Sequence, residues 1–221
     1  MDKQLFEEVD KYISRLLANE DQVLKDVITS LDQAGLPQFS VSPSQGKLLQ
    51  VFAAMCGAKN ILELGTLGGY STIWLARALP DAGKLITIEF DDRCADVAEK
   101  NLAAANLQNK VSVRRGKALD VLPLLQNENA GPFDLIFIDA DKPPYTEYFQ
   151  WALKLSRPGS IIICDNVIRE GMVLEENHPD EKVRGVQRFN NFLSTCTEVN
   201  ATILPTVGMK EFDGMAICVK L

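Results

Sequence analysis

A chain of 221 residues, 46% of them hydrophobic and with no long Pro, Gly or Ser tract, can bury a substantial core but leaves no room for a second one, so residues 1–221 are read as a single domain. Its 23 basic and 30 acidic residues give a formal net charge of −7, which disfavours docking on nucleic-acid phosphates or an anionic membrane and favours small-molecule chemistry. No stretch approaches the roughly 18 apolar residues of a membrane span, the N-terminus lacks the apolar core of a signal peptide, and five scattered cysteines without a CxxC pair argue against a disulfide framework or zinc site; the expectation is a reduced, cytoplasmic protein.

Leu5, Val9, Ile13, Leu16 and Leu17 recur at helical spacing, and a second helical stretch over residues 21–35 is predicted to end at Gly35 before Pro37. Residues 1–57 therefore form a helical preface. From residue 58 to 221 the pattern is that of an α/β core, in which the short apolar runs "NILEL", "KLITIEF", "KVSVRR", "FDLIFID" and "SIIICD" are separated by longer amphipathic segments. That alternation predicts βαβ units and a mostly parallel sheet covered by helices on both faces. "VNATILP" and "GMAICVKL" follow one another with only a loop between, which predicts an antiparallel pair at the sheet edge. Trp74 and Trp151 lie in amphipathic helical segments and read as core, whereas His178 in "EENHPDE" reads as solvated.

In open α/β sheets ligands bind beyond the carboxyl ends of the strands, so the residues after each apolar run carry the functional signal. The first run leads into "ELGTLGGYS", with Glu63, Gly65, Gly68, Gly69 and Ser71. Glycines there let the backbone approach a ligand and open the next helix, but the spacing fails the GxGxxG dinucleotide fingerprint. Glu89 ends the second run, where a carboxylate can accept from both hydroxyls of a ribose. Glu63 would repel a pyrophosphate and suits a nucleoside with a positive centre, as in S-adenosylmethionine. The other reading of these residues is a tight turn and a solvated strand end.

Asp139, Asp165 and Asn166 follow two later runs and offer oxygen ligands, which suit magnesium, calcium or manganese. The stretch "PPYTEYFQWALKLS" between them is predicted to be one helix started by the prolines and closed before Arg157-Pro158-Gly159, so one βαβ unit returns both strand ends to the same rim. Alternatively, Asp139 and Asp165 only cap the helices that follow. Lys142 reads either as a surface lysine or as a base made partly neutral by a nearby cation.

Taken together, "ELGTLGGYS", "IDADK" and "CDN", in this order and spacing, resemble the cation-dependent class I O-methyltransferases, the group of caffeoyl-CoA and catechol O-methyltransferases. The resemblance runs from about Val41 to the C-terminus. It implies a Rossmann-like class I methyltransferase fold, a seven-stranded, mostly parallel sheet with an antiparallel edge strand and N-terminal helices. It implies Asp139, Asp165 and Asn166 as metal ligands and Lys142 as catalytic base. Val41, Glu63, Gly65, Ser71, Glu89, Ala118 and Asp141 match its S-adenosylmethionine contacts. The implied reaction is methyl transfer to a hydroxyl of an aromatic diol, a catechol-type small molecule, by a homodimer without nucleic-acid or membrane partners.

Two departures stand beside the match. Glu170 occupies the position where plant caffeoyl-CoA enzymes carry a substrate-contacting Asn, which favours smaller catechols over coenzyme A esters, and Pro143-Pro144 is not the family's common wording. "DKPPY" also brings to mind amino-methyltransferases with an Asp/Asn-Pro-Pro-aromatic motif, but an ammonium at Lys142 offers no acceptor to an amino group. A nucleoside-binding protein without chemistry and a nicotinamide dehydrogenase are the remaining alternatives.

Overall fold

The computed structural model describes residues 3–210 and 212–221. Helices α1 (Lys3–Leu17), α2 (Gln22–Gln33) and α3 (Pro43–Met55) come first. The Asp21 carboxylate caps α2 by accepting from the Leu24 N–H at 3.1 Å, and Ser42 with Gln45 forms a capping box at α3, with Pro43 in its first turn. The expected helix over residues 21–35 is present, with Gly35 two residues past its end at φ +62°. The apolar stripe of α1 stays largely outside the core: Val9, Ile13 and Leu17 are 45%, 40% and 69% exposed. What anchors α1 is a buried acid, Asp10, which accepts from the Ser44 hydroxyl on α3 and from the Met209 N–H.

The strands are β1 (Asn60–Leu64), β2 (Lys84–Glu89), β3 (Val111–Arg115), β4 (Phe133–Ile138), β5 (Ser156–Asp165), β6 (Val199–Thr206) and β7 (Asp213–Lys220), in the order β3-β2-β1-β4-β5-β7-β6. β1 to β5 are parallel, and β7 runs antiparallel between β5 and the edge strand β6. The connecting helices are α4 (Tyr70–Ala76), α5 (Asp92–Ala104), α6 (Ala118–Asn127), α7 (Tyr145–Leu155) and α8 (Glu181–Thr195). The architecture is the mostly parallel sheet that the apolar runs predict, in the Rossmann-like arrangement that the resemblance implies.

Alternation along the strands divides the core in two. Leu135 and Phe137 of β4 pack with Leu24 and Leu31 of α2, Leu49 of α3 and Ile73 of α4, whereas Phe133, Ile136 and Ile138 face α6, α7 and α8 through Leu122, Phe149 and Phe189. Burial on both faces is why "FDLIFI" reads as a continuous apolar run. Trp74 is 4% exposed, Trp151 is half-buried against the second core, and His178 is half-buried rather than solvated.

Two boundaries differ from expectation. Helix α7 starts at Tyr145, after both prolines, because a residue that precedes proline is pushed out of the helical region. Strand β5 starts at Ser156 and includes Arg157-Pro158-Gly159, since Ser156 pairs with Phe133 and the Arg157 guanidinium donates to Asp134 at 2.5 Å. Among the described residues no helix is long and apolar enough to cross a membrane.

Candidate active site

Strand order reverses between β1 and β4, and the crevice that follows a reversal lies at the carboxyl ends of those strands. A cavity of about 940 Å³ occupies that place. Val41, Gly65, Ser71, Glu89, Ala118, Asp139, Asp141, Lys142 and Asn166 all line it, so nine of the eleven residues singled out from the sequence share one wall system.

Gly65 shows why the loop after β1 needs glycine. Its φ is +94°, and a Cβ there would run into the Asp139 carbonyl at the end of β4. The loop is also gripped from β2: one Glu89 oxygen accepts from the N–H groups of Thr66 at 3.1 Å and Leu67 at 2.8 Å, and the other from Asp91 at 2.9 Å. The carboxylate thus fixes the loop while still facing the cavity.

Glu63 is placed differently from the sequence argument, which had its charge facing the ligand. It lies within β1, fully buried, accepting from Ser71 Oγ at 2.6 Å and Thr72 Oγ1 at 2.5 Å. Burial raises its pKa from 4.5 to about 7 against the opposing pull of those hydroxyls. It therefore supports Ser71 and the start of α4 from behind the cavity wall. On the other side Asp141 accepts from the Tyr148 hydroxyl at 2.5 Å, and burial followed by that bond raises the Tyr148 pKa.

Lys142 is not a surface lysine. It is 6% exposed, and its Nζ donates to Asp139 Oδ1 at 3.1 Å, Tyr145 Oη at 2.7 Å and the Asp165 carbonyl at 3.3 Å. Helix α8 packs directly on its backbone, where a Cβ at Gly185 would collide with the Lys142 carbonyl. Asp165 is 2% exposed, and its pKa is raised by burial and then by the charge of Asp139. Its Oδ1 accepts from the N–H of Asn166, a residue at φ +58°. The α7-capping alternative is not what Asp139 does: α7 begins at Tyr145, and no side chain caps its N-terminus.

Among the described residues no three His, Cys, Asp or Glu side chains gather as a metal site. The set that fits a hard cation here is two carboxylates and an amide, Asp139, Asp165 and Asn166. All three are oxygen donors, and a divalent cation would offset what raises the Asp165 pKa, burial of its charge first and the neighbouring charge of Asp139 second.

Several wall residues escaped the sequence reading. Tyr148, which lines the cavity, and Tyr145, fully buried behind it, carried a signal, two aromatics in the first turn of the helix after "DADKPP", but the direction of their hydroxyls is not legible in the sequence. Arg169, Lys210 and Asp213 lie in residues 167–180 and the loop "TVGMKEFDG", segments expected to shape the substrate pocket but without a pattern that names a ligand, and Ser40 carried no signal.

The model of an O-methyltransferase family matches residues 14–221. The chain is 61% identical over 219 residues, 99% of each protein, to a catechol O-methyltransferase of Niastella koreensis. Among solved structures, the O-methyltransferase TomG from Streptomyces achromogenes, involved in tomaymycin synthesis and seen in complex with SAM, superposes with a TM-score of 0.96 at 45% identity and coverage of 100% of this chain and 99% of that one. An O-methyltransferase from Bacillus cereus in complex with SAH matches with a TM-score of 0.96 at 48% identity, over 99% of both chains. The chain belongs to this O-methyltransferase family.

Proposed function

We propose that this chain is an S-adenosylmethionine-dependent, divalent-metal-dependent O-methyltransferase acting on one hydroxyl of a vicinal aromatic diol. The observation that carries the reading is the single cavity in which the glycine loop, Glu89 and Asp141 meet Asp139, Lys142 and Asn166. The names of the relatives add to it.

S-adenosylmethionine supplies the methyl group, and a cation held by Asp139, Asp165 and Asn166 supplies the charge that makes a phenol more acidic. Glu89 faces the place of a ribose while holding the Thr66 and Leu67 amides, and Ala118 and Leu119 bound the space for an adenine. Glu63 orients Ser71, and Asp141 is fixed by Tyr148. Lys142 Nζ, on the cavity wall beside Asp139, would take the phenolic proton. As an ammonium it donates to all three of its neighbours and has no lone pair, so only the neutral amine would accept the proton. Holding both reactants in such a cavity is worth about 7–11 kcal/mol of barrier when they are well aligned.

Methyl transfer to catechol from S-adenosylmethionine, measured with magnesium and then with EDTA, tests the reading. Activity lost with EDTA and absent in Asp165→Ala, with cofactor affinity retained, is expected; activity indifferent to both would refute the metal assignment. The amino-methyltransferase alternative has no support in the geometry, because the lysine before the prolines presents donors where an amino group needs an acceptor. A homodimer belongs to the proposal and is supported by the exposed apolar side chains of α1, Val9, Tyr12, Ile13 and Leu16.

A further inference from the structure

A second cavity, of about 390 Å³, lies between α8 and residues 173–177 and shares no lining residue with the first. Gln187, Asn190 and Asn191 enter it from α8, where spacings of three and four residues place them on one helix face. Val173, Glu176 and Asn177 close the other side. The proposed methyl transfer uses none of these side chains.

The orientation of two of the amides is fixed by their partners. Gln187 Nε2 donates to the Val173 and Glu175 carbonyls at 3.1 and 2.8 Å, and Asn190 Nδ2 to the Val167 carbonyl at 2.9 Å. Only the NH2 end of a carboxamide can meet a carbonyl, so both side-chain oxygens are left as acceptors. Asn190 Oδ1 is buried and has no hydrogen-bond partner, a costly state unless another group completes it. The side chains of Asn177 and Asn191 make no hydrogen bond among the described residues, and the Glu176 carboxylate pairs with no cation there. No lysine or arginine lines the cavity, and the nearby Arg184 and Arg188 are both paired with Glu181.

A wall of amide oxygens with one carboxylate and no competing cation calls for a hard positive ion. The absence of nitrogen and sulfur ligands disfavours a transition metal, and the absence of an aromatic ring disfavours an organic ammonium. Magnesium demands near-ideal octahedral geometry and gives up water reluctantly. Calcium takes six to eight oxygens in irregular arrangements, Asn and Gln carbonyls and water among them.

We propose that Glu176, Asn177, Gln187, Asn190 and Asn191 form a calcium site, distinct from the proposed catalytic metal, that clamps residues 173–177 to α8. The clamp acts on the segment that follows Asn166, since Asn190 already holds the Val167 carbonyl.

Calorimetric titration with calcium, in potassium chloride at about 0.15 M, tests the site. The wild type is expected to take up two calcium ions per chain, and Asp165→Ala, which lacks a proposed catalytic ligand, one. With a single carboxylate that ion should bind at about 10⁻⁴–10⁻³ M, and magnesium should not compete for it. Glu176→Gln is expected to weaken it about tenfold or more, because ligand charge sets calcium affinity, and Glu176→Lys to abolish it. Calcium should also slow amide hydrogen exchange across residues 173–177 in Asp165→Ala, but not once Glu176→Lys is added. Glu176 is exposed, so its replacement does not unpack the core. If Asp165→Ala does not fold, the wild-type count against that of Glu176→Lys, two ions against one, decides alone. One ion in the wild type that Glu176→Lys retains, or uptake and exchange that Glu176→Lys leaves unchanged, overturns the site; so does a site filled by potassium, which would show no calcium uptake in this buffer. One ion in the wild type that survives Asp165→Ala and disappears in Glu176→Lys would uphold this site and refute the catalytic metal instead.

Discussion

The Asp10 carboxylate on α1 accepts from the Met209 N–H at 3.1 Å, joining the first helix to the loop before β7 across 199 residues of chain. Asp10 also accepts from Ser44, and a Cβ at the intervening Gly208, whose φ is +156°, would press on the same carboxylate. The loop it holds carries Lys210 and Phe212 into the cavity wall. Asp10→Ala is therefore expected to raise the KM for the methyl acceptor severalfold and to cost about 1.5–3 kcal/mol of stability, the worth of hydrogen bonds to a charged group. Cofactor affinity should not move. Acceptor KM and thermal melting measure the two effects, and an unchanged KM in a destabilised variant would reduce Asp10 to a structural tie.

Gly65 separates β1 from the end of β4. Gly65→Ala combines an unfavourable φ of +94° with a collision against the Asp139 carbonyl. Strain and overpacking each cost about 1–3 kcal/mol. The expected result is a lower melting temperature together with loss of S-adenosylmethionine binding by calorimetry. Normal binding in a folded variant would show that the loop can move without consequence.

Glu63 makes stability depend on pH. With a folded pKa of about 7 against an ordinary value of 4.5, the folded chain keeps a proton that the unfolded chain has released between those values. The stabilisation is complete below the lower value and is lost as pH rises through the upper one, a swing of about 3 kcal/mol. Glu63→Gln should flatten the dependence of unfolding free energy on pH between 5 and 8. If the variant and the wild type show the same slope, the carboxyl titrates elsewhere.

Lys142 is separable from a simple charge. Lys142→Met is expected to lower kcat by about 100- to 10,000-fold, the range of a lost general base. Lys142→Arg should not restore it, because a guanidinium keeps its proton. Rescue by arginine would make Lys142 a positioning cation for Asp139 and Asp165 and leave proton removal to solvent.

Much of the site was legible because strand ends advertise themselves. A buried parallel strand is apolar throughout, so the polar residues that stop "FDLIFI" and "SIIIC" mark the rim, and the loop glycines mark a close approach. Val41, Gly65, Ser71, Glu89, Ala118, Asp139, Asp141, Lys142 and Asn166 do line one cavity. The direction of a side chain is harder to read. Glu63 turned behind the wall, Lys142 proved buried, and the start of β5 ran through Arg157-Pro158-Gly159 because Asp134 on the neighbouring strand receives the arginine.

Local pattern alone thus determined the alternation of strands and helices, the antiparallel pair at the end and the rim of oxygen donors, since periodicity and strand termination are properties of short segments. Only the tertiary structure decided which polar groups find partners. The tie from Asp10 to Met209, the bond from Lys142 to the Asp165 carbonyl and the unpaired Nε of Arg169 depend on segments far apart in the chain, and no local spacing encodes whether such groups meet.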